Sequence, residues 1–164
     1  MDTIDIGPAQ LGDAERILQL QYAAYRIEAE RYNDYDLPPL RQTLDDLLHD
    51  FVTHTILVAR HSSRFLVRPD DPIVGSVRAK VIDGTAHIRR LAVDPVLHGR
   101  GIGRQLLWGI EQSIAPVDRY QLFTGHRSER NLRLYERAGY RRIRTEQRAT
   151  SHALVYLEKI APTW

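Results

Sequence analysis

The stretch HIRRLAVDPVLHGRGIGRQLL, residues 87–107, joins a run with the composition of a strand to a run with the apolar spacing of a helix. Three glycines fall within five residues at the junction, at positions 99, 101 and 103. Glycine costs about 0.5–1 kcal/mol relative to alanine in regular structure, so this density needs a physical reason. A tight turn, close packing, or a backbone left bare for a large ligand would each explain it. The third explanation would make residues 98–103 a phosphate-binding loop at the start of a helix.

The glycine segment does not match two familiar phosphate-binding patterns. In the dinucleotide pattern G-x-G-x-x-G, a start at Gly99 places Arg104 at the third glycine, and a start at Gly101 places Leu106 there. The P-loop pattern fails because the chain contains no Gly-Lys pair. A glycine turn before a helix N-terminus can still bind an anion, and Arg100 and Arg104 add positive charge. A close-packed strand-to-helix turn remains the alternative.

The rest of the chain alternates between strand and helix patterns. Asp83-Gly84 is a strong signal for a two-residue hairpin turn, and Pro116 ends the apolar helical spacing that follows the glycines. Ser128 and Gly139 are placed to cap a helix between them. The predicted order β-α-α-β-β-β-α-β-α-β-β indicates a mixed α/β sheet. The clearest segments are strands near 3–6, 54–60, 73–82, 85–93, 119–124 and 152–159, and helices after 13, near 44–51, after 101 and at 129–138.

The composition fits one folded domain over residues 1–164, since 43% of the residues are hydrophobic and 27% are charged. The absence of cysteine excludes disulfides, zinc–thiolate sites and thiol nucleophiles. The histidines lack metal-ligand spacing, so no metal site is expected. The N-terminus has no signal-peptide pattern, and no apolar run reaches the roughly 18 residues of a membrane span. These features predict a cytoplasmic protein without a membrane partner.

The charge is distributed unevenly along the chain. Residues 1–82 carry a net charge of −4, residues 83–164 carry +6, and all but two of the Lys and Arg residues are arginines. A basic half suits a phosphate-bearing ligand and an acidic half suits a cationic one. Two differently charged solvated faces are the alternative.

Residues 87–107 closely resemble motif A of the GNAT superfamily of N-acetyltransferases. In that motif a strand ending in Leu-Ala-Val leads into Gln/Arg-x-x-Gly-x-Gly/Ala at a helix start, a pattern that falls here on residues 98–103. His98 departs from the usual Gln or Arg, which keeps a donor but weakens the permanent charge. Residues 128–140, SERNLRLYERAGY, resemble the family's second cofactor motif, a helix that carries Leu-Tyr and ends at Gly-Tyr. Many members have asparagine in place of Ser128 and alanine in place of Asn131.

The resemblance implies an α/β fold of the α+β type, with a mixed, mostly antiparallel central sheet that splays at the cofactor site and is flanked by helices. Acetyl-CoA would bind where the strands ending near Val93 and Thr124 diverge. The backbone of Leu91 and Val93 would hold the pantetheine arm, and the Val93 N–H would stabilise the oxyanion. Residues Arg100 to Arg104 would hold the pyrophosphate. The implied cofactor residues are Leu91, Ala92, Val93, His98, Gly99, Arg100, Gly101, Ile102, Gly103, Arg104, Ser128, Asn131 and Tyr135.

The resemblance also suggests two proton-transfer groups. Tyr135 occupies the family's acid position and would protonate the leaving thiolate, although Leu132 and Tyr135 could equally share a core-facing helix stripe. A lysine-like amine is about 99.9% protonated at pH 7, and removing its proton costs roughly 4.6 kcal/mol. His87 is the predicted base, because lysine-acetylating members of the family place a glutamate four residues before the position of Leu91. Strand alternation puts His87 on the same side as Leu91 and Val93, unless a bulge intervenes.

Other groups and routes could serve instead of His87. It could be a hydrogen-bonded strand histidine, with Glu28 or Asp34 as the base, or the pocket could lower the amine pKa without a base. The acceptor pocket is expected from residues 24–40, the part of the fold that varies most within the family. Tyr25, Glu28, Tyr32 and Asp34 there could receive a cation by charge and by aromatic faces, and a solvated helix end is the alternative.

The sequence therefore predicts an enzyme that transfers acetyl from acetyl-CoA to a primary amine of a small molecule or a peptide. Without cysteine, the transfer would be a direct attack in a ternary complex. A non-catalytic acyl-CoA sensor of the same fold is the first alternative. A nucleic-acid binder using the eight arginines between Arg127 and Arg148 is the second, but the glutamates among them and the lack of interleaved aromatics disfavour it. A homodimer remains open.

Overall fold

The computed structural model describes residues 2–163. Its helices and strands follow the predicted order, with one short helix that the sequence did not indicate. The strands are β1 (Thr3–Pro8), β2 (Thr55–Ser62), β3 (Ile73–Ile82), β4 (Thr85–Val93), β5 (Arg119–Gly125), β6 (Arg141–Ala149) and β7 (His152–Ile160). The α-helices are α1 (Ala14–Tyr32), α2 (Pro38–Arg41), α3 (Leu44–Thr53), α4 (Ile102–Ile114) and α5 (Glu129–Arg137).

A seven-stranded sheet runs through the described residues in the order β1-β2-β3-β4-β5-β7-β6. Every neighbouring pair is antiparallel except β4 and β5, which are parallel. That parallel pairing is limited to Thr85–His87 with Arg119–Gln121. Beyond these residues the two strands separate and leave a gap between their C-terminal ends. The predicted mixed, mostly antiparallel sheet with a splay is thus confirmed.

Hydrophobic residues cover both faces of the sheet. On one face α4 buries Leu106, Leu107 and Ile110 in a cluster that also contains residues of α5. On the other face α1 and α3 bury a second cluster that includes Ile17 and Leu47. Burying one such side chain contributes about 1.5–3 kcal/mol. The packing fixes the N-terminus of α4 and the C-terminal half of α1 close to the gap between β4 and β5.

Local backbone rules account for the hairpin between β3 and β4. Asp83 and Gly84 both adopt positive φ, at 49° and 76°. A two-residue turn with both central residues in this region matches the twist of the strands, as the Asp-Gly signal predicted.

The short helix α2 lies between α1 and α3, in a stretch for which no helix was predicted. Pro38 occupies its first turn, where a missing N–H costs nothing. None of the helices within residues 2–163 has the length and apolar character needed to cross a membrane.

Candidate active site

A β-bulge interrupts β4 near the gap. Ser76 of β3 is opposite Ala92, but Arg78 is opposite Arg89, so β4 contains one extra residue between these pairs. Arg90 lies in this bulge with φ at 56°, in the left-handed region that residues with a Cβ rarely adopt. Bulges of this kind redirect side chains and are frequent beside active sites.

The bulge reverses the side-chain alternation that the sequence predicted for β4. Leu91 and Val93 pack against the α4 cluster, on the same face as Ile88. His87 is opposite Lys80 and alternates with Ile88, so it lies on the other face. The prediction that His87 shares a face with Leu91 and Val93 is therefore wrong, and the extra residue in the bulge is the reason.

The backbone of Val93 is directed into the gap. Val93 is opposite Gly75 of β3, and the Asp94 N–H donates to the Val74 carbonyl at 2.8 Å. In this register the N–H and C=O of Val93 itself point away from β3, toward the side where β5 has diverged. His98 Nε2 lies 3.1 Å from the Val93 carbonyl oxygen. Burial lowers the pKa of His98, which favours the neutral ring that donates this bond.

The glycine segment leads into the N-terminus of α4 with its backbone exposed. Gly99 and Gly101 both have φ at 80°, and a Cβ placed on either would have no neighbour within 4 Å. Glycine is therefore required at these two positions by the positive φ, and not by close packing against the rest of the chain. A Cβ on Gly103 would make an ordinary contact with Leu134 at 3.4 Å, which is compatible with alanine. A close-packed turn does not explain Gly99 and Gly101.

The first turn of α4 is suited to an anion. Its N–H groups have no partners within the helix, and the positive end of the helix dipole adds to them. Arg100 and Arg104 are exposed on either side of Gly101, which is the N-cap residue. Because glycine has no side chain, the backbone at Gly99 and Gly101 is uncovered. The arrangement fits a pyrophosphate lying against bare backbone.

Tyr135 is buried on α5, with 5% of its surface exposed. Its ring meets that of Tyr140 edge-on at 6.1 Å between centroids. Burial raises the pKa of Tyr135, and the nearby Tyr25 and Glu28 raise it further. The side chain is therefore a neutral phenol that can donate a hydrogen bond. Tyr135 can therefore be a buried core residue and a hydrogen-bond donor at the same time.

Glu28 connects α1 to the N-terminus of α5. Its Oε1 accepts from Arg31 Nη1 at 2.6 Å and from Ser128 Oγ at 3.3 Å. Ser128 was predicted to cap α5 with its side chain; it is the N-cap residue, but its hydroxyl makes no cap bond and turns to Glu28 instead. We call Tyr25, Glu28, Arg90 and Tyr135 the inter-strand cluster, because Tyr25 lies near each of the other three.

Tyr32 is a packed residue rather than an exposed aromatic face. It is 3% exposed, and its hydroxyl accepts from the Arg127 N–H at 2.7 Å. Its ring stacks on His152 at 4.3 Å and covers Gly125, where a Cβ would overlap the phenol. Asp34 lies beyond this stack, with Oδ2 at 3.7 Å from His152 Nδ1. Burial raises the pKa of Tyr32, and Glu28, one turn away on α1, raises it further, so Tyr32 and Glu28 are neighbours and Asp34 is set apart by the stack.

Asn131 lies on α5 with its Nδ2 donating to Thr124 Oγ1 at 3.3 Å. Thr124 is near the C-terminal end of β5, on the opposite side of the gap from Val93. The bond joins α5 to the diverging end of β5. Asn131 therefore borders the gap that the sequence assigned to the cofactor.

His87 lies where β4 and β5 are still paired, opposite Gln121. Because the bulge takes up one residue, the separation of His87 from Leu91 along the sheet is that of three residues, roughly 10 Å. Burial lowers the pKa of His87, and the charge of Arg89 lowers it further. His87 is not among the groups that act on Tyr135, whose pKa is raised by burial, Tyr25 and Glu28.

Sequence reasoning missed two arginines on the α1 face of the sheet. Arg78 is 1% exposed, and its guanidinium donates to Asp50 Oδ2 at 2.7 Å and to Gln21 Oε1 at 2.6 Å. Its position inside the apolar strand 73–82 was a visible signal, since buried arginines need partners. Arg90 gave no such signal, because a bulge cannot be read from local composition.

No three histidine, aspartate or glutamate side chains within the described part of the chain, residues 2–163, converge in a way that could hold a metal ion.

Comparison with known proteins identifies the family. The acetyltransferase (GNAT) family model matches residues 15–140. The S-(2-succino)cysteine N-acetyltransferase of Bacillus subtilis (strain 168) is 27% identical over 158 residues, which covers 90% of each chain.

Two solved structures share the fold at low sequence identity. The PaiA N-acetyltransferase of Thermoplasma acidophilum, in complex with coenzyme A, superposes with a TM-score of 0.74 at 17% identity, covering 97% of this chain and 99% of that one. The ribosomal-protein-S18-alanine N-acetyltransferase of Escherichia coli gives 0.73 at 13% identity, covering 96% and 94%. The chain belongs to the GNAT family of acetyl-CoA-dependent N-acetyltransferases.

Proposed function

We propose that this protein transfers the acetyl group of acetyl-CoA to a primary amine by direct attack in a ternary complex. One observation carries the proposal: the gap between β4 and β5 opens beside both the Val93 N–H and the bare N-terminus of α4. Acetyl-CoA, when bound, supplies the acetyl group as a thioester. One sheet carries both hydrophobic clusters, which supports a single acetyltransferase domain.

Different residues around the gap would bind different parts of acetyl-CoA. The exposed backbone from Gly99 to Gly103, with Arg100 and Arg104, would hold the pyrophosphate. The strand edges at Leu91 and Val93 would hold the pantetheine arm by backbone hydrogen bonds. The Val93 N–H would stabilise the negative charge that develops on the carbonyl oxygen.

Tyr135 is proposed as the proton donor to sulfur. A carbon–nitrogen bond forms while the carbon–sulfur bond breaks, so the leaving sulfur gains an electron pair and needs a proton. Burial keeps Tyr135 protonated throughout the physiological pH range. The hydroxyl is therefore a hydrogen-bond donor to the leaving thiolate, and a proton that it passes to sulfur would be replaced from the amine nitrogen through the base or from solvent.

Glu28 is proposed as the acceptor of the amine proton, with His87 as the second candidate. Glu28 shares the inter-strand cluster with Tyr135. Arg31 and Ser128 both donate to Oε1 of its carboxylate, and Oε2 is the oxygen proposed to accept the amine proton. His87 is in the paired part of β4, so it would need a water to relay the proton.

The direct test is release of coenzyme A thiol from acetyl-CoA in the presence of candidate acceptors. The panel should contain amino acids, polyamines, N-terminal peptides and S-(2-succino)cysteine, the acceptor named for the similar Bacillus subtilis protein. We expect at least one primary amine to raise thiol release well above the rate without acceptor. Tight acetyl-CoA binding without acceleration by any amine would instead favour a non-catalytic acyl-CoA sensor.

A further inference from the structure

The bulge in β4 places a positively charged side chain beside the gap. Arg90 is partly buried, and the Tyr25 hydroxyl of α1 faces its guanidinium. Its φ of 56° would be relaxed for glycine and is unfavourable for arginine. Strained residues of this kind persist where the surrounding structure holds them, and they cluster at ligand-binding sites.

Positive charge exceeds negative charge around Arg90. The groups that face it are Tyr25, Arg78, Arg89 and Asp50. Of these Asp50 is the carboxylate, and Arg78 holds it at 2.7 Å. Among residues 2–163 no carboxylate oxygen lies within 4.0 Å of the Arg90 guanidinium. Burial lowers the pKa of Arg90, but a guanidinium stays charged in proteins.

Tyr25 connects this charge to the reaction site. It faces Arg90, and it also acts electrostatically on Tyr135, together with Glu28. Glu28 is held separately by Arg31 at 2.6 Å, so its charge does not neutralise Arg90. Tyr25 is therefore a common neighbour of the Glu28 carboxylate and the Arg90 guanidinium. This pairing of charges complements a molecule that carries both an amine and a carboxylate.

We propose that the acetyl acceptor carries a carboxylate, which the Arg90 guanidinium binds with the Tyr25 hydroxyl as a second donor. The planar fork of arginine matches a carboxylate with two parallel hydrogen bonds. The acceptor class is then an amino acid or a related amino-carboxylate, rather than a polyamine or an uncharged amine. The proposal rests on the acetyltransferase function proposed above.

The test compares each amino acid with the amine left when its carboxylate is removed. Suitable pairs are phenylalanine with phenethylamine, leucine with isoamylamine and lysine with cadaverine. We expect the native enzyme to prefer the carboxylated members by about 30-fold or more in kcat/KM. Arg90→Gln should remove most of that preference by lowering kcat/KM for the carboxylated member of each pair. Arg90→Lys, which keeps the charge but not the fork, should fall between them.

Arg89→Gln is the matched control, because it removes the same charge one residue away from an exposed position. It should change the preference less than threefold. Circular dichroism melting verifies that each variant is folded. A second readout avoids turnover: the preferred carboxylated acceptor is titrated calorimetrically into protein saturated with coenzyme A. Arg90→Gln should weaken that binding about 30-fold, and Arg89→Gln should not.

Three outcomes would count against the proposal, and they differ in what they reject. If no amine is acetylated, the proposed function fails, and the carboxylate site fails with it. If decarboxylated amines react as well as the amino acids, the carboxylate site alone is rejected. If Arg90→Gln lowers kcat equally for both members of each pair, Arg90 acts on the acetyl transfer itself and not on the acceptor carboxylate.

Discussion

The two sides of the gap between β4 and β5 are built in different ways. The α4 side uses consecutive residues, 98–104, and presents backbone N–H groups. The α1 side uses side chains from α1, β4 and α5 that are far apart in the sequence. The first kind of site depends on glycine and local conformation, whereas the second depends on how three elements pack. Binding of the cofactor and chemistry on the acceptor should therefore respond to different mutations.

The largest effect is expected where the α1 side depends on a buried ion pair. Asp50→Ala would leave the Arg78 guanidinium, whose side chain is 2% exposed, without its carboxylate. Removing one partner of a buried pair typically costs about 3–5 kcal/mol. Urea unfolding should show a loss of that size. Asp45→Ala, on an exposed position of the same helix, is the control and should change the free energy of unfolding by at most about 1 kcal/mol. Equal losses in the two variants would show that the pair has no structural role.

The next effect concerns Tyr135. Tyr135→Phe retains the packing of the ring but removes the proton donor, so kcat should fall about 100-fold or more. The dissociation constant for acetyl-CoA should change less than threefold, because the hydroxyl is proposed to act on the leaving sulfur. Steady-state kinetics together with calorimetric titration separates the two quantities. Full turnover in this variant would assign protonation of the thiolate to solvent or to another group.

The pH profile distinguishes the two candidate bases. If Glu28 accepts the amine proton, Glu28→Gln should lower kcat/KM more than tenfold and remove its acidic limb, while His87→Ala leaves that limb in place. If His87 is the base, the reverse pattern is expected. Because burial and Arg89 lower the pKa of His87, activity would then be lost only as the pH falls below about 6.5. An acidic limb that survives both substitutions would favour a pocket that lowers the amine pKa without a base.

The difference between the two sides also explains what could be predicted from the sequence. The glycine segment, the Asp83-Gly84 turn and the helix face of Leu106 and Leu107 follow from residues close in sequence, and the structure bears them out. The order of strands and helices followed from local patterns, whereas the mostly antiparallel sheet and its splay were implied by the family resemblance. The short helix α2 was not predicted because adjacent prolines are typical of loops, although Pro38 can begin a helix.

Residues on the α1 side were less predictable because their environment depends on distant elements. The bulge at Arg90 depends on the pairing of β4 with β3, and it moved His87 to the face opposite Leu91. Tyr32 lies in a segment rich in tyrosine and acidic residues, which is typical of a binding surface, yet contacts with residues 125–127 and His152 bury it. Arg78 can be buried in the core because Gln21 of α1 and Asp50 of α3 accept hydrogen bonds from its guanidinium.

The α4 side is proposed to hold the cofactor through bare backbone. The most direct measurement is calorimetric titration of acetyl-CoA into Gly101→Val, with Gly103→Ala as the control. Gly101 has φ at 80° and exposed backbone, so a branched side chain would both strain the turn and cover the N–H groups. Gly103→Ala makes only an ordinary contact and should bind normally. We predict at least tenfold weaker binding for folded Gly101→Val, or about 1.4 kcal/mol. An unchanged dissociation constant would contradict the claim.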